Sequence, residues 1–159
     1  MEVIIRPTTD AAVELTAQLI CDQVKAKPDS VLGLATGRTM ERLYDNIVVK
    51  HQAGKVSFAR CASFNLDEYV GLAGDDENSY RYYMNELLFK KVDINIDETF
   101  LPDGAAQDLD LACKKYEEKS PTKVASTYSY SALAIRVISV LTSLSQLLCR
   151  EHVKKLSRP

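Results

Sequence analysis

Asp67 and Glu68 stand side by side at the end of an apolar run, Phe64-Asn65-Leu66, and are followed by Tyr69-Val70-Gly71-Leu72. Neighbouring residues of an extended chain point to opposite faces, so these carboxylates are not a matched acid/base pair. One of them, facing a ligand, could remove a proton next to a carbonyl once burial lifts its pKa toward the working pH, while the other caps or pairs. Spacing alone favours an acidic turn that opens the next loop. A second constellation, Gly33-Leu34-Ala35-Thr36-Gly37-Arg38-Thr39, sets glycines, two hydroxyls and a cation between an apolar strand and a helix start. Backbone N–H groups left unpaired at that helix end, aided by its dipole, can hold a phosphate. The loop lacks the Gly-Lys-Ser/Thr ending of a Walker loop and is not GxGxxG. Its plainer reading is a tight strand-to-helix turn with Thr39 as the cap.

Alternating strands and helices carry these loops. Val3 to Ile5 reads as a short strand, and Thr8-Thr9-Asp10 supplies N-cap oxygens for a helix whose apolar stripe is Val13, Leu15, Leu19, Ile20 and Val24. Ser30 to Leu34 is short and apolar, the pattern of a central parallel strand covered on both faces. Met40, Leu43, Tyr44, Ile47 and Val48 mark the next helix, Cys61 to Leu66 a third strand, Ser79 to Phe89 another helix, and Asp108 to Lys119 a charged amphipathic one. The expected fold is an open α/β domain, Rossmann-like, with a mostly parallel sheet and helices on both faces. In such folds ligands collect beyond the carboxyl ends of the strands, where both loops lie.

At 159 residues, 46% hydrophobic and 26% charged, the chain has globular composition and excludes a collagen, a disordered tail and a disulfide miniprotein. A net charge of -2 supplies no global field toward nucleic acid or anionic lipid. Cys21, Cys61, Cys113 and Cys149 are scattered, without a CxxC pair and away from His51 and His152, which argues against structural zinc. The start of the chain has no leader-like pattern, so the expected setting is cytoplasmic with reduced thiols.

Read in order, LGLATGRT, GKVSF, FNLDEYVGL and ENSYRYYM resemble the glucosamine-6-phosphate deaminase family, over about Met1 to Lys119. The resemblance implies the amino-terminal half of a Rossmann-like domain that the family shares with 6-phosphogluconolactonases, whose second motif differs. It implies conversion of glucosamine 6-phosphate and water to fructose 6-phosphate and ammonium, without metal or organic cofactor, and family members that form homo-oligomers. Asp67 matches the enolising base, with Glu68 and Tyr69 supporting it. Thr36, Gly37, Arg38 and Thr39 match the phosphate-binding turn, although Arg38 and Met40 replace the usual small residue and proline.

The remainder, residues 120–159, is unlike the family. From Lys123 onward there is no glycine and only one acidic residue, Glu151, and nothing matches the family's GIG-x-[DN]-GHI-[AG]-FNEP segment with its ring-opening histidine. Ala132 to Leu148 is apolar but broken by Arg136 and five Ser, Thr or Gln residues, so a membrane span is not expected. Reread one base late, the codons of Val124 to Ala134 permit GGIDLQLLGIG and those of Val137 to Leu144 permit GHIGFNEP, with Arg136 as the misfit. A one-base slip between Lys119 and Lys123 accounts for this. The alternative is an amphipathic helix on Leu133, Val137, Val140, Leu141, Leu144 and Leu148. With the second motif absent, the readings left open are an impaired deaminase, a sugar-phosphate-binding fragment without catalysis, a disrupted gene product, and a 6-phosphogluconolactonase.

Overall fold

The computed structural model describes residues 4–119. In chain order these form α1 (Thr9–Ala26), β1 (Val31–Leu34), α2 (Arg38–Gln52), β2 (Ala62–Asn65), α3 (Tyr80–Leu87), two single-turn 3-10 helices (Phe89–Lys91 and Ile96–Glu98), β3 (Thr99–Phe100) and α4 (Leu109–Lys119). Both readings of residues 120–159, frame slip and amphipathic helix, lie outside the described residues.

Thr8 starts α1: its hydroxyl oxygen accepts the N–H of Ala11 at 3.1 Å, satisfying an amide that has no partner inside the helix. The buried stripe is Val13, Ala17, Cys21 and Val24. This differs from the expected stripe, since Leu19 is 40% exposed. The reason is the neighbour: α1 packs along α2, and the fully buried small side chains of Ala17 and Cys21 allow the two helices to approach closely. Burial also raises the Cys21 and Cys61 thiols above their ordinary values, as expected of cysteines acting as small apolar residues.

The sheet is parallel in the order β1-β2-β3, with Gly33 opposite Phe64 and Phe64 opposite Phe100. A parallel pair requires a crossover, which α2 supplies between β1 and β2. Leu32, Leu34, Ser63, Asn65 and Thr99 are buried on one face, in or beside the core formed with Val24, Tyr44, Ile47 and Met84. On the other face the Phe64 and Phe100 rings stack at 4.8 Å, and Tyr116 of α4 meets Phe64 edge-on at 6.0 Å.

Two expectations about strands are corrected here. Ile4 and Ile5 belong to no strand, are 47% and 88% exposed, and among the described residues β1 has no neighbour on that side. Consequently β2, not β1, is the central strand. Nor do the described residues cover β1 on both faces, because Gly33 is exposed among them and α4 packs on the Phe64 and Phe100 side of that face.

At the far end of α2, remote in sequence from the loop that opens it, Asp93 clamps the loop entering β2. Its carboxylate accepts the Ser57 hydroxyl at 2.5 Å and the Phe58 N–H at 2.6 Å. His51 lies 3.5 Å from the same carboxylate, and its ring N–H donates to the Val56 carbonyl at 2.9 Å.

Candidate active site

The turn between β1 and α2 is held from behind by its carbonyls. Asn65 Nδ2 donates to the Leu34 carbonyl at 3.0 Å, the Tyr44 hydroxyl donates to the Ala35 carbonyl, and the Tyr83 hydroxyl donates to the Gly37 carbonyl at 2.9 Å. With the carbonyls bound to side chains of β2, α2 and α3, the backbone is oriented so that its amides lead into α2. Gly37 is the N-cap, at φ 107° and ψ 163°, and α2 begins without any side-chain cap. That conformation is accessible essentially to glycine alone. Thr39 therefore does not cap the helix, contrary to the plain reading of the turn: it sits one residue inside α2, and only N-cap geometry directs a hydroxyl back onto the first amides. The amides at the start of α2, with Thr36, Arg38 and Thr39 around them, are suited to an anion.

The two carboxylates separate by role. Glu68 turns back onto the start of α3: Oε1 accepts the N–H groups of Tyr69 at 2.9 Å and Tyr80 at 2.8 Å, and Oε2 accepts that of Arg81 at 2.9 Å. It thus works beside the true N-cap, Ser79, whose hydroxyl oxygen accepts the Tyr82 N–H at 3.0 Å. Negative charge here also complements the helix dipole. The Arg81 side chain, partly desolvated and held below its ordinary pKa by burial, donates to the hydroxyl and carbonyl of Thr99 at 2.7 and 3.0 Å, which ties α3 to β3. Asp67, one residue earlier, is exposed at the end of β2.

Tyr80 connects the two loops. Its ring lies against Tyr69, with centroids 4.7 Å apart and the hydroxyl oxygens 3.1 Å apart. The Thr36 hydroxyl and the Asp67 charge also act on this phenol. Burial, the Tyr69 hydroxyl and the Asp67 charge together push the Tyr80 phenol up to about 12, against a smaller opposite effect of Thr36. Near neutral pH it is therefore a hydrogen-bonding phenol, not a base. Tyr83, one helical turn further on, is raised by burial and by the Glu41 charge.

The structure thus joins Glu68 to the amides of Tyr69, Tyr80 and Arg81, and leaves Gly37, Arg38, Thr39 and Asp67 exposed, with Thr36 half-buried, beyond the carboxyl ends of β1 and β2. Sequence reasoning missed Tyr80, Tyr83, Tyr44, Asn65 and Arg81. The three-residue spacing of Tyr80 and Tyr83 in ENSYRYYM was a usable signal, since it puts both rings on one helix face. The site is open among the described residues. A hollow of about 340 Å³ lies instead between Phe100, Leu111, Tyr116 and neighbours, and another of about 400 Å³ lies beside Asp10 and Arg42.

Known proteins with the same arrangement decide the kinship. Glucosamine-6-phosphate deaminase of Shewanella loihica is 50% identical over 117 residues, 74% of this chain and 44% of that protein. That of a Geobacillus species is 49% identical over 102 residues, 64% of this chain and 41% of the relative. This chain resembles part of a glucosamine-6-phosphate deaminase. Glucosamine-6-phosphate deaminase 1 of Bacillus subtilis is 42% identical over 118 residues, 74% of this chain and 49% of that one. The deaminase-like chain therefore spans less than half the length of these curated relatives. A solved monomeric glucosamine-6-phosphate deaminase, described as a missing link of the NagB superfamily, superposes with a TM-score of 0.74 at 39% identity, covering 79% of this chain and 52% of that chain. The 6-phosphogluconolactonase of Thermotoga maritima shares the fold, with a TM-score of 0.57 at 22% identity over 74% of this chain and 51% of that one. No family model matches the chain.

Proposed function

We propose that this chain supplies the phosphate-holding turn and the proton-abstracting carboxylate of a glucosamine-6-phosphate deaminase site, and that turnover is impaired because the ring-opening group of the reaction has no counterpart in its sequence. The amides at the start of α2, with Thr36, Arg38 and Thr39, take the 6-phosphate, and Asp67 takes the proton from C2 of the open-chain sugar. Returning that proton to C1 converts the aldose amine to a ketose imine. Water then adds, ammonium leaves and fructose 6-phosphate remains. Ring opening must come first and needs a group that protonates the ring oxygen. Without it the open-chain form reaches Asp67 only as the small fraction present in solution, and groups that act as a unit fail together.

The observation that carries the reading is the register of β1 and β2: Leu34 lies opposite Asn65, so the turn at Thr36 and the Asp67 carboxylate follow the carboxyl ends of two adjacent parallel strands. A phosphate at the turn and a carbon acid at the carboxylate would belong to one small molecule.

Calorimetry of the full chain with glucosamine 6-phosphate, together with a coupled assay for fructose 6-phosphate, tests it. Saturable binding lost in Gly37→Val, with turnover far below the usual enzyme range of about 1 to 1000 per second, is the expected result. Absence of binding overturns the assignment, and turnover inside that range overturns the impairment. Lactone hydrolysis without deamination would move the chain to the phosphogluconolactonases.

A further inference from the structure

The peptide bond joining Gly37 to Arg38 is planar, so its carbonyl and its N–H point in opposite directions. Two donors hold that carbonyl. The Met40 N–H, closing the first turn of α2, reaches it at 2.8 Å, and the Tyr83 hydroxyl reaches it from α3 at 2.9 Å. A carbonyl oxygen has two lone pairs, and these bonds fill both. With the oxygen fixed from two sides, the Arg38 N–H is turned the other way. It is the first amide of α2, one of those that have no partner within a helix, and no side chain caps the helix at its N-cap.

Gly37 has no side chain with which to hold this plane, and glycine is the residue that gives the backbone most freedom. The hold comes from α3. The Tyr83 phenol is raised by burial and by the Glu41 charge, so near neutral pH it keeps the proton it donates. Its ring meets Tyr80 edge-on at 6.5 Å, and the N–H groups of Tyr80 and Arg81 at the start of α3 are held by Glu68 at 2.8 and 2.9 Å. One helix therefore carries a tie to the turn after β1 and a tie to the end of β2, where Asp67 lies. The other side chains that hold the turn, Tyr44 and Asn65, are 0% and 1% exposed and belong to the packed interior, whereas Tyr83 is half-buried. Removing its hydroxyl leaves the core intact.

We propose that Tyr83 is a positioning residue for the sugar phosphate: its hydroxyl, by holding the Gly37 carbonyl, aims the Arg38 N–H at the 6-phosphate. This deepens the reading of the site given above and rests on it. Tyr83 acts through the peptide and does not touch the substrate. When the N–H donates to an anion the peptide polarises and its carbonyl becomes the better acceptor, so the phosphate contact and the Tyr83 bond strengthen each other.

The test compares the full chain with Tyr83→Phe, which keeps the ring and loses one oxygen. Residual dipolar couplings in a weakly aligned sample read the direction of each N–H. The Arg38 coupling is expected to change in the variant while those of Leu43 and Ile47, further along the same helix, do not. Calorimetry is expected to show affinity for glucosamine 6-phosphate falling about 2- to 12-fold, the loss of one hydrogen bond between neutral groups. In the unsubstituted protein, the Tyr83 Cζ resonance is expected to move along the binding curve of the sugar phosphate. An unchanged Arg38 coupling or an unchanged affinity in the folded variant overturns the proposal. A Tyr83 resonance that stays still as sugar phosphate binds overturns it even if the variant does not fold. A chain that binds no glucosamine 6-phosphate removes the substrate assignment, and the Arg38 coupling then decides by itself whether Tyr83 orients the turn.

Discussion

Gly37 is the residue on which the turn depends most. At φ 107° and ψ 163° it occupies backbone space that a Cβ makes unfavourable, even though a Cβ there would meet nothing within 4 Å. Gly37→Ala is therefore expected to cost about 1 to 3 kcal/mol of stability from backbone strain alone. Denaturant melts measure that cost, and an unchanged midpoint would show that the turn relaxes freely. The sugar phosphate should also bind more weakly to the variant, because the amides after Gly37 would no longer be oriented. This much was legible in the chain: a Thr-Gly pair between an apolar run and a helical pattern marks a strand-to-helix turn. What was not legible is that Thr39 would leave the capping to Gly37, since the choice depends on where the carbonyls of Leu34, Ala35 and Gly37 find donors. Those donors, Asn65, Tyr44 and Tyr83, come from 9 to 46 residues away.

Helix α3 and the loop entering β2 show how carboxylates position elements. Glu68 joins the strand end to the first residues of α3 through three amides, and Gly104 packs so tightly beneath it that a Cβ there would fall 2.0 Å from the Tyr69 carbonyl oxygen. Asp93 does the equivalent work at the other end of α2. Burial opposes its charge, but the Ser57 hydroxyl, the Phe58 amide and His51 outweigh it and hold the carboxyl below the ordinary range. A folded value below the unfolded one means that the clamp contributes fully above the unfolded carboxyl value of about 4 and is lost as pH falls through the lower folded value. Asp93→Asn should therefore lower the melting temperature at neutral pH and flatten its acid dependence below about pH 4. Melting curves from pH 2 to 7 check this, and parallel profiles for the two proteins would contradict it. Periodicity placed α3 and α4 to within a residue or two and found the buried face of α2. It could not place their partners, because Asp93 lies 35 residues beyond the amide it holds.

Three parallel strands, a buried face and a second face covered only in part make up the described body of the protein. The relatives are about twice as long as the segment they share with this chain, and the carboxyl-terminal residues of the chain do not resemble them. The frame slip read between Lys119 and Lys123 makes a specific prediction about the gene. The codons of Val137 to Leu144, read one base late in the gene, are expected to spell GHIGFNEP, and sequencing the locus decides it. Codons that do not yield that string remove the frame slip and leave residues 120–159 as a segment of another kind. Alternation of apolar runs and helical stripes was enough to specify a parallel α/β domain and the positions of its loops, because these features depend on local spacing and on the few residue types a turn or cap tolerates, while the family resemblance rested on the four sequence motifs. Strand order, the open side of β1 and the hold of Asn65 on the Leu34 carbonyl were settled in three dimensions only. Each is a contact between residues far apart in the chain, and which distant groups pair depends on how helices and strands pack, a property that no short window of residues contains.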